Sequence, residues 1–97
     1  MSTMEAYKGE LARFLEGFGG NVRRVRMAKK PRCSQEQLSN ATELHRTEIG
    51  KLEQGKVEPR LTTLLILTEG LGVTVDDLLT GLWVPVERKP SPHSGPW

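Results

Sequence analysis

Two short helices joined by a tight turn are encoded between Ser34 and Gly55, and this pair constrains the fold most. Ser34 is an N-cap candidate and Gln37 completes a capping box, which predicts a first helix over Gln35–Thr42. A second helix is predicted over Arg46–Gln54, where Gly55 stops it. Because isolated helices of this length are marginal in water, the pair must pack against a floor of other helices.

Hydrophobic periodicity predicts the other helices against which the pair would pack. Apolar residues within 4–18 recur every three or four positions and predict an amphipathic helix. Gly17 and the glycines that follow it predict a bend or break before a second segment over 21–29. An apolar segment over 61–71 predicts a largely buried helix, and Thr74 with Asp77 three residues later predicts a capping box at the start of a last short helix. The expected fold is therefore all-α, a compact bundle of about five short helices.

The chain is expected to divide into three parts. Residues 1–17 would form an extra N-terminal amphipathic helix, and 18–82 the helical bundle that contains the helix pair. Residues 83–97 hold four prolines and few apolar anchors, which predicts a mostly flexible, Pro-rich C-terminal extension.

Composition excludes several function classes. A single cysteine rules out an internal disulfide and a multi-thiolate zinc site, and it favours a reducing cytoplasm. No paired carboxylates, nucleophile–base pair or phosphate-cradling glycine loop is found, so we expect no enzyme, no cofactor and no metal. The longest apolar run, Leu64–Leu67, is too short to span a membrane. Aromatic residues make up only 5%, which argues against a protein that stacks single-stranded bases.

Basic residues are concentrated in one block although the net charge is only +2. No acidic residue occurs between Glu16 and Glu36. The block comprises Arg23, Arg24, Arg26, Lys29, Lys30 and Arg32. Such a block can be a solvated face, a disordered arm or a phosphate-binding patch, and the adjacent helix pair favours the last.

The second helix of the pair would leave one face bare, and that face carries Arg46, Thr47, Gly50 and Lys51. An α-helix fits the major groove of double-stranded DNA, where Arg or Lys bonds guanine and a Thr methyl contacts thymine. The pattern therefore indicates a helix-turn-helix that reads DNA sequence. Glu48 either favours the helix N-terminus or accepts a hydrogen bond from cytosine N4.

A set of motifs extends this pattern over about residues 18–80, with unbroken spacing from Leu38 to Leu79. The motifs are Ser34–Leu38, Ile49, Leu52–Lys56, Pro59 and Leu71–Leu79. They resemble the lambda-repressor-like helix-turn-helix family, and within it the xenobiotic-response-element-type regulators of bacteria. The resemblance implies a sequence-specific transcriptional regulator that binds double-stranded DNA without a ligand.

The resemblance also implies which residues contact bases. Residues that match Arg46, Thr47 and Lys51 face base edges in the family, and Gly50 lies on the same face. The residue that matches Gln35 binds a DNA phosphate from the start of its helix, where backbone N–H groups also favour an anion.

Further roles implied by the resemblance concern the DNA backbone and the scaffold. Arg23 and Lys56 match positions near the backbone. His45 departs from the family, which commonly has a Ser or Thr cap there, and we expect it to be a weak cap or a phosphate neighbour rather than a metal ligand. The family pairs a first-helix arginine with the glutamate of its Leu-Glu-x-Gly motif, which here would be Arg26 with Glu53.

The chain departs from the family pattern in the turn and in the loop before it. Glu43 stands where the family usually has glycine, so a left-handed conformation would cost on the order of 1 kcal/mol, unless the turn differs. The loop before Ser34 is longer than usual by about two residues and contains Pro31.

One such module buries little DNA surface, so we expect a symmetric homodimer that reads two half-sites about one helical turn apart. The candidate dimer surfaces are the last helix with Leu82 and Trp83, and the N-terminal helix with Tyr7, Leu11 and Phe14. The alternative function is an antitoxin-like or adaptor module that binds a protein partner through the N-terminal helix or the C-terminal tail. The expected location is the bacterial cytoplasm, in association with the nucleoid and without a membrane partner.

Overall fold

Five α-helices make up the part of the chain that the computed structural model describes, which is residues 3–82, with side chains from residue 8 onward. The helices are α1 (Thr3–Ala28), α2 (Gln35–Thr42), α3 (Arg46–Glu53), α4 (Leu61–Leu71) and α5 (Val75–Leu79). No strand occurs in this range, and the all-α prediction is confirmed. The tail predicted over 83–97, which includes Trp83, lies outside the described residues, as does the side chain of Tyr7.

α1 is one continuous helix of 26 residues, so the predicted break at the glycines is wrong. The reason is a contact between helices. Gly19 is buried against the end of α3, and a Cβ there would collide with the carbonyl oxygens of Leu52 and Glu53. Glycine at this position therefore allows the two backbones to touch without ending the helix. The division drawn between residues 17 and 18 falls inside this continuous helix.

The core contains apolar side chains from all five helices. α2 and α3 contribute Leu38, Ile49 and Leu52, each at most 1% exposed. The remaining buried apolar residues are Phe18, Val22, Leu44, Leu67, Leu71 and Leu78. The two short helices are thus held by side chains from the rest of the bundle, as their length requires.

α4 is buried on one face only, so the prediction of a largely buried helix is wrong. Leu67 and Leu71 belong to the core. On the opposite face Leu61 is 72% exposed, Leu65 51% and Ile66 37%. The other side of α4 therefore presents an apolar surface to solvent.

The capping boxes predicted for α2 and α5 are both present. The Ser34 hydroxyl accepts a hydrogen bond from the Gln37 N–H at 3.0 Å, and the Ser34 N–H donates to Gln37 Oε1 at 2.8 Å. Thr74 and Asp77 make the same reciprocal pair at the start of α5. The backbone N–H and hydroxyl of Thr74 lower the pKa of the Asp77 carboxyl. Each pair satisfies N–H groups that the first turn of a helix leaves without a partner.

Asn21 in α1 and Lys29 just after it bind the ends of two other helices. The Asn21 amide donates to the carbonyl oxygen of Leu78 in the last turn of α5 at 2.9 Å, and to that of Thr80 just after the helix at 3.0 Å. The Lys29 ammonium donates to the carbonyl oxygen of Leu71 at 2.9 Å, at the end of α4. A cation at this end of a helix also interacts favourably with the helix dipole.

The contact between α1 and α3 can be tested with two neighbouring glycines. Gly19→Ala should lower the free energy of unfolding by about 1–3 kcal/mol, because the new methyl group meets backbone atoms that cannot move aside. The matched control is Gly20→Ala, where a Cβ meets no atom within 4 Å. It should raise stability by about 1 kcal/mol through helix propensity. Urea denaturation measures both, and equal stability of the two variants would contradict the contact.

Candidate nucleic-acid interface

The turn between α2 and α3 is closed by hydrogen bonds from α2. The Thr42 hydroxyl donates to the carbonyl oxygen of Leu38 at 2.7 Å and accepts from the Leu44 N–H at 3.2 Å. Glu43 follows with φ 65° and ψ 6°, which is the left-handed conformation. The chain therefore adopts a left-handed turn despite lacking glycine, at a cost of about 1 kcal/mol.

α3 separates buried from exposed residues along its length. Ile49 and Leu52 lie in the core, whereas Arg46, Thr47 and Lys51 are exposed. Gly50 is half-buried beside Gln35. The structure thus brings the four residues expected to read bases onto the outer side of one helix.

A buried ion pair fixes α3 to α1. Arg26 Nε lies 2.7 Å from Glu53 Oε2, and Arg26 Nη2 lies 2.8 Å from Glu53 Oε1. The two side chains are only 9% and 4% exposed. The hydrogen bond to Glu53 raises the pKa of Arg26 above its ordinary value, while burial opposes the shift. The pairing that the family resemblance implied for these residues is therefore present in the structure.

The same pair organises the start of α2. Arg26 Nη1 donates to the carbonyl oxygen of Cys33 at 2.9 Å, just before the N-cap Ser34. Gln35 Nε2 donates to Glu53 Oε1 at 3.1 Å. The Gln35 amide, which was expected to bind a phosphate, is thus engaged with Glu53 in the free protein. Backbone N–H groups in the first turn of α2 remain suited to an anion.

The basic block divides into structural and solvent-facing residues. Arg26 is paired with Glu53, Lys29 bonds the end of α4, and Arg24 Nη2 donates to Asn21 Oδ1 at 2.9 Å. Arg23, Lys30 and Arg32 are exposed, and no side-chain hydrogen bond or ion pair involves them within the described range. These three members of the block are free to meet a phosphate, and Arg24, which is exposed as well, keeps further N–H donors beside its bond to Asn21.

The remaining expected contacts lie at the edges of α3. His45 occupies the N-cap position with extended backbone, but its side chain makes no capping hydrogen bond, so the cap role is not observed. Lys56 follows the end of the helix and is exposed. Between residues 8 and 82, no group of three or more His, Cys, Asp or Glu could hold a metal ion.

The sequence interpretation missed Gln54 on this surface. Gln54 is exposed and lines a depression of about 180 Å³ together with Arg23 and Gly50. It follows Thr47 by seven positions, so helical spacing could have placed it on the same side of α3. Arg32, which the sequence already placed in the basic block, lines a second depression, of about 410 Å³, together with Arg46.

Breaking the buried pair should destabilise the fold. Glu53→Ala leaves the Arg26 guanidinium buried without its carboxylate, which should cost about 3–5 kcal/mol. Thermal unfolding checks this against Glu58→Ala, which removes an exposed carboxylate outside the helices and should have little effect. If the two variants melt at the same temperature, the pair does not hold α1 to α3.

Comparison with known proteins assigns the chain to a family. A helix-turn-helix family model matches residues 23–78. Control protein C.SmaI of Serratia marcescens is 43% identical over 60 residues, which cover 62% of this chain and 69% of that protein. Control protein C.BamHI of Bacillus amyloliquefaciens is 39% identical over 62 residues, which cover 64% and 75% of the two chains.

A solved structure agrees with these sequence matches. The restriction-modification controller protein C.AhdI of Aeromonas hydrophila superposes with a TM-score of 0.62 at 31% identity. The match covers 66% of this chain and 94% of that one. The chain therefore belongs to the lambda-repressor-like helix-turn-helix family.

Proposed function

We infer that this protein is a sequence-specific transcriptional regulator that inserts α3 into the major groove of double-stranded DNA. The observation that carries this inference is the division of α3. Its inner face is fixed in the core by Ile49 and Leu52, and its outer face offers Arg46, Thr47 and Lys51. The names of the relatives, as control and controller proteins, support the same class of function.

We propose a division of labour between base contacts and backbone contacts. Arg46, Thr47 and Lys51 would select sequence, and Gly50 would let the helix backbone approach the bases. The residues proposed to contact phosphates are Gln35, Arg23, His45, Lys56 and Gln54. Phosphate contacts set affinity and orientation, whereas base contacts set specificity.

Gln35 would change partners on DNA binding. Its amide donates to Glu53 in the free protein, and Glu53 already receives two hydrogen bonds from Arg26. The carboxylate would thus keep its charged partner if the Gln35 amide turned to a phosphate. The backbone N–H groups at the start of α2 would reinforce that contact.

We propose that the protein acts as a homodimer through the exposed face of α4. This face consists of Leu61, Thr62, Leu65, Ile66 and Glu69, and three of the five residues are large and apolar. Contiguous exposed apolar residues typically mark an interaction surface. A second copy is the occupant that DNA binding favours, because two modules can read two half-sites.

The two dimer surfaces expected from the sequence offer less exposed apolar area within the described residues. Leu82 packs against the core, and Leu11 and Phe14 are half-buried. The N-terminal part of α1 and the C-terminal tail would then serve the alternative role, in which an antitoxin-like or adaptor module binds a protein.

We place the protein in the bacterial cytoplasm, at the nucleoid. No helix among residues 3–82 is both long and apolar enough to cross a membrane.

Selection from random oligonucleotides with the purified full chain tests the function. We expect an enriched motif with two related half-sites, since a dimer reads each half with one α3. DNA of restriction-modification systems is the first natural sequence to examine, since this chain is similar to a restriction-modification controller protein, C.AhdI. A folded protein that enriches no motif and instead co-purifies with a protein partner would favour the alternative.

Two substitutions test the division of labour on that motif. Arg46→Ala should cost about 1–3 kcal/mol of binding free energy and relax preference at one base pair. Lys56→Ala should weaken binding to every sequence alike. The slope of log affinity against log salt concentration should fall by about one, the value of one lost phosphate contact. Titrations at several salt concentrations measure both effects. If the two variants lose affinity equally on all sequences, the assignment of roles is wrong.

One substitution tests the dimer surface. Leu65→Lys places a charge in the middle of the apolar face of α4 and should shift the protein from dimer to monomer in sedimentation experiments. Ala28→Lys adds the same charge at an exposed position at the end of α1, and it should leave the dimer intact. A Leu65→Lys protein that remains dimeric would place the interface elsewhere.

A further inference from the structure

Arg32 lies in the loop between α1 and α2, outside any element assigned to DNA contact by the family resemblance. It is exposed, and it shares with Arg46 a surface depression of about 410 Å³. The other lining residues are Arg26, Ser34, Gln35 and Glu36. The depression therefore joins the loop to the first residue of α3.

The charge of this depression is positive. Arg26 is neutralised by Glu53, so the uncompensated charges are those of Arg32 and Arg46, opposed by the Glu36 carboxylate. No ion pair joins Glu36 to either arginine within the described part of the chain. Two guanidinium groups around one depression favour a ligand with negatively charged oxygen atoms.

The backbone next to Arg32 is anchored. The Cys33 N–H donates to the carbonyl oxygen of Arg26 at 3.4 Å, and the Cys33 carbonyl accepts from Arg26 Nη1 at 2.9 Å. Ser34 then begins α2 with its capping box. Because the backbone next to it is fixed, Arg32 loses less conformational freedom when its side chain binds a ligand.

We propose that Arg32 binds a DNA phosphate next to the base pair contacted by Arg46, and so acts as a positioning residue for α3. This inference rests on the proposed function. The loop would supply the contact and the buried Arg26–Glu53 pair would hold the loop in place. Arg32 would then set the register of the recognition helix, while Arg46 reads the base.

The test compares Arg32→Ala, Arg32→Lys and Lys30→Ala by fluorescence anisotropy on the selected motif at several salt concentrations. Arg32→Ala should weaken binding about tenfold or more and reduce the salt slope by about one contact. Arg32→Lys should restore the salt slope, because the charge returns. Lys30→Ala removes a neighbouring exposed charge that does not line the depression, so it should have a smaller effect.

A positioning role predicts coupling between the two arginines. In a double-mutant cycle, Arg46→Ala should cost less affinity when Arg32 is already alanine, because a misplaced α3 reads its base poorly. An unchanged melting temperature of Arg32→Ala shows that folding is not the cause. Wild-type-like affinity and salt slope for Arg32→Ala, or additive losses in the cycle, would overturn the inference. These outcomes differ from failure of the proposed function, in which the wild-type protein itself selects no motif.

Discussion

The buried pair of Arg26 and Glu53 is the interaction on which the arrangement of this interface depends. It joins α1 to α3 through two hydrogen bonds, and a third bond to the Cys33 carbonyl holds the loop before α2. Such a pair gains little net stability over apolar packing, since both charges must lose water. Its value here is geometric, because a planar guanidinium and a planar carboxylate fix their relative orientation. The pair thereby fixes the relative positions of α1, α3 and the loop before α2, which all belong to the proposed DNA surface.

Close backbone contact supports the same geometry. Gly19 lets α1 touch the end of α3, and Gly55, with φ 73°, lies directly against the backbone of Glu16. Any side chain at either position would push α3 away from α1. The scaffold thus gives up helix propensity within α1 and gains a fixed distance between helices. A recognition helix needs this rigidity, because base contacts depend on small differences in position.

The structure also separates the surfaces that the protein can use. Arg46, Thr47 and Lys51 face outward from α3, whereas the exposed apolar residues lie on α4. The two contacts that we propose, a polar one with DNA and an apolar one with a second copy, can therefore form at once. In the proposed homodimer, this separation would let a module of this size combine sequence reading with the larger buried area that useful affinity requires.

The sequence by itself determined the local features: the bounds of α2, the capping boxes, the stop of α3 near Gly55, and the set of residues on the outer face of α3. These depend on hydrogen bonds and periodicity within a few residues, so neighbours in the chain suffice to specify them. Tertiary structure alone decided the continuity of α1 through its glycines, the exposed face of α4, and which basic residues other than Arg26 are engaged. These features depend on atoms that are distant in the chain. Gly19 lies against the carbonyl oxygen of Leu52, for example, and the Lys29 ammonium donates to the carbonyl oxygen of Leu71. A glycine that ends one helix is indistinguishable in sequence from one that lets two helices touch, because the difference lies in the partner.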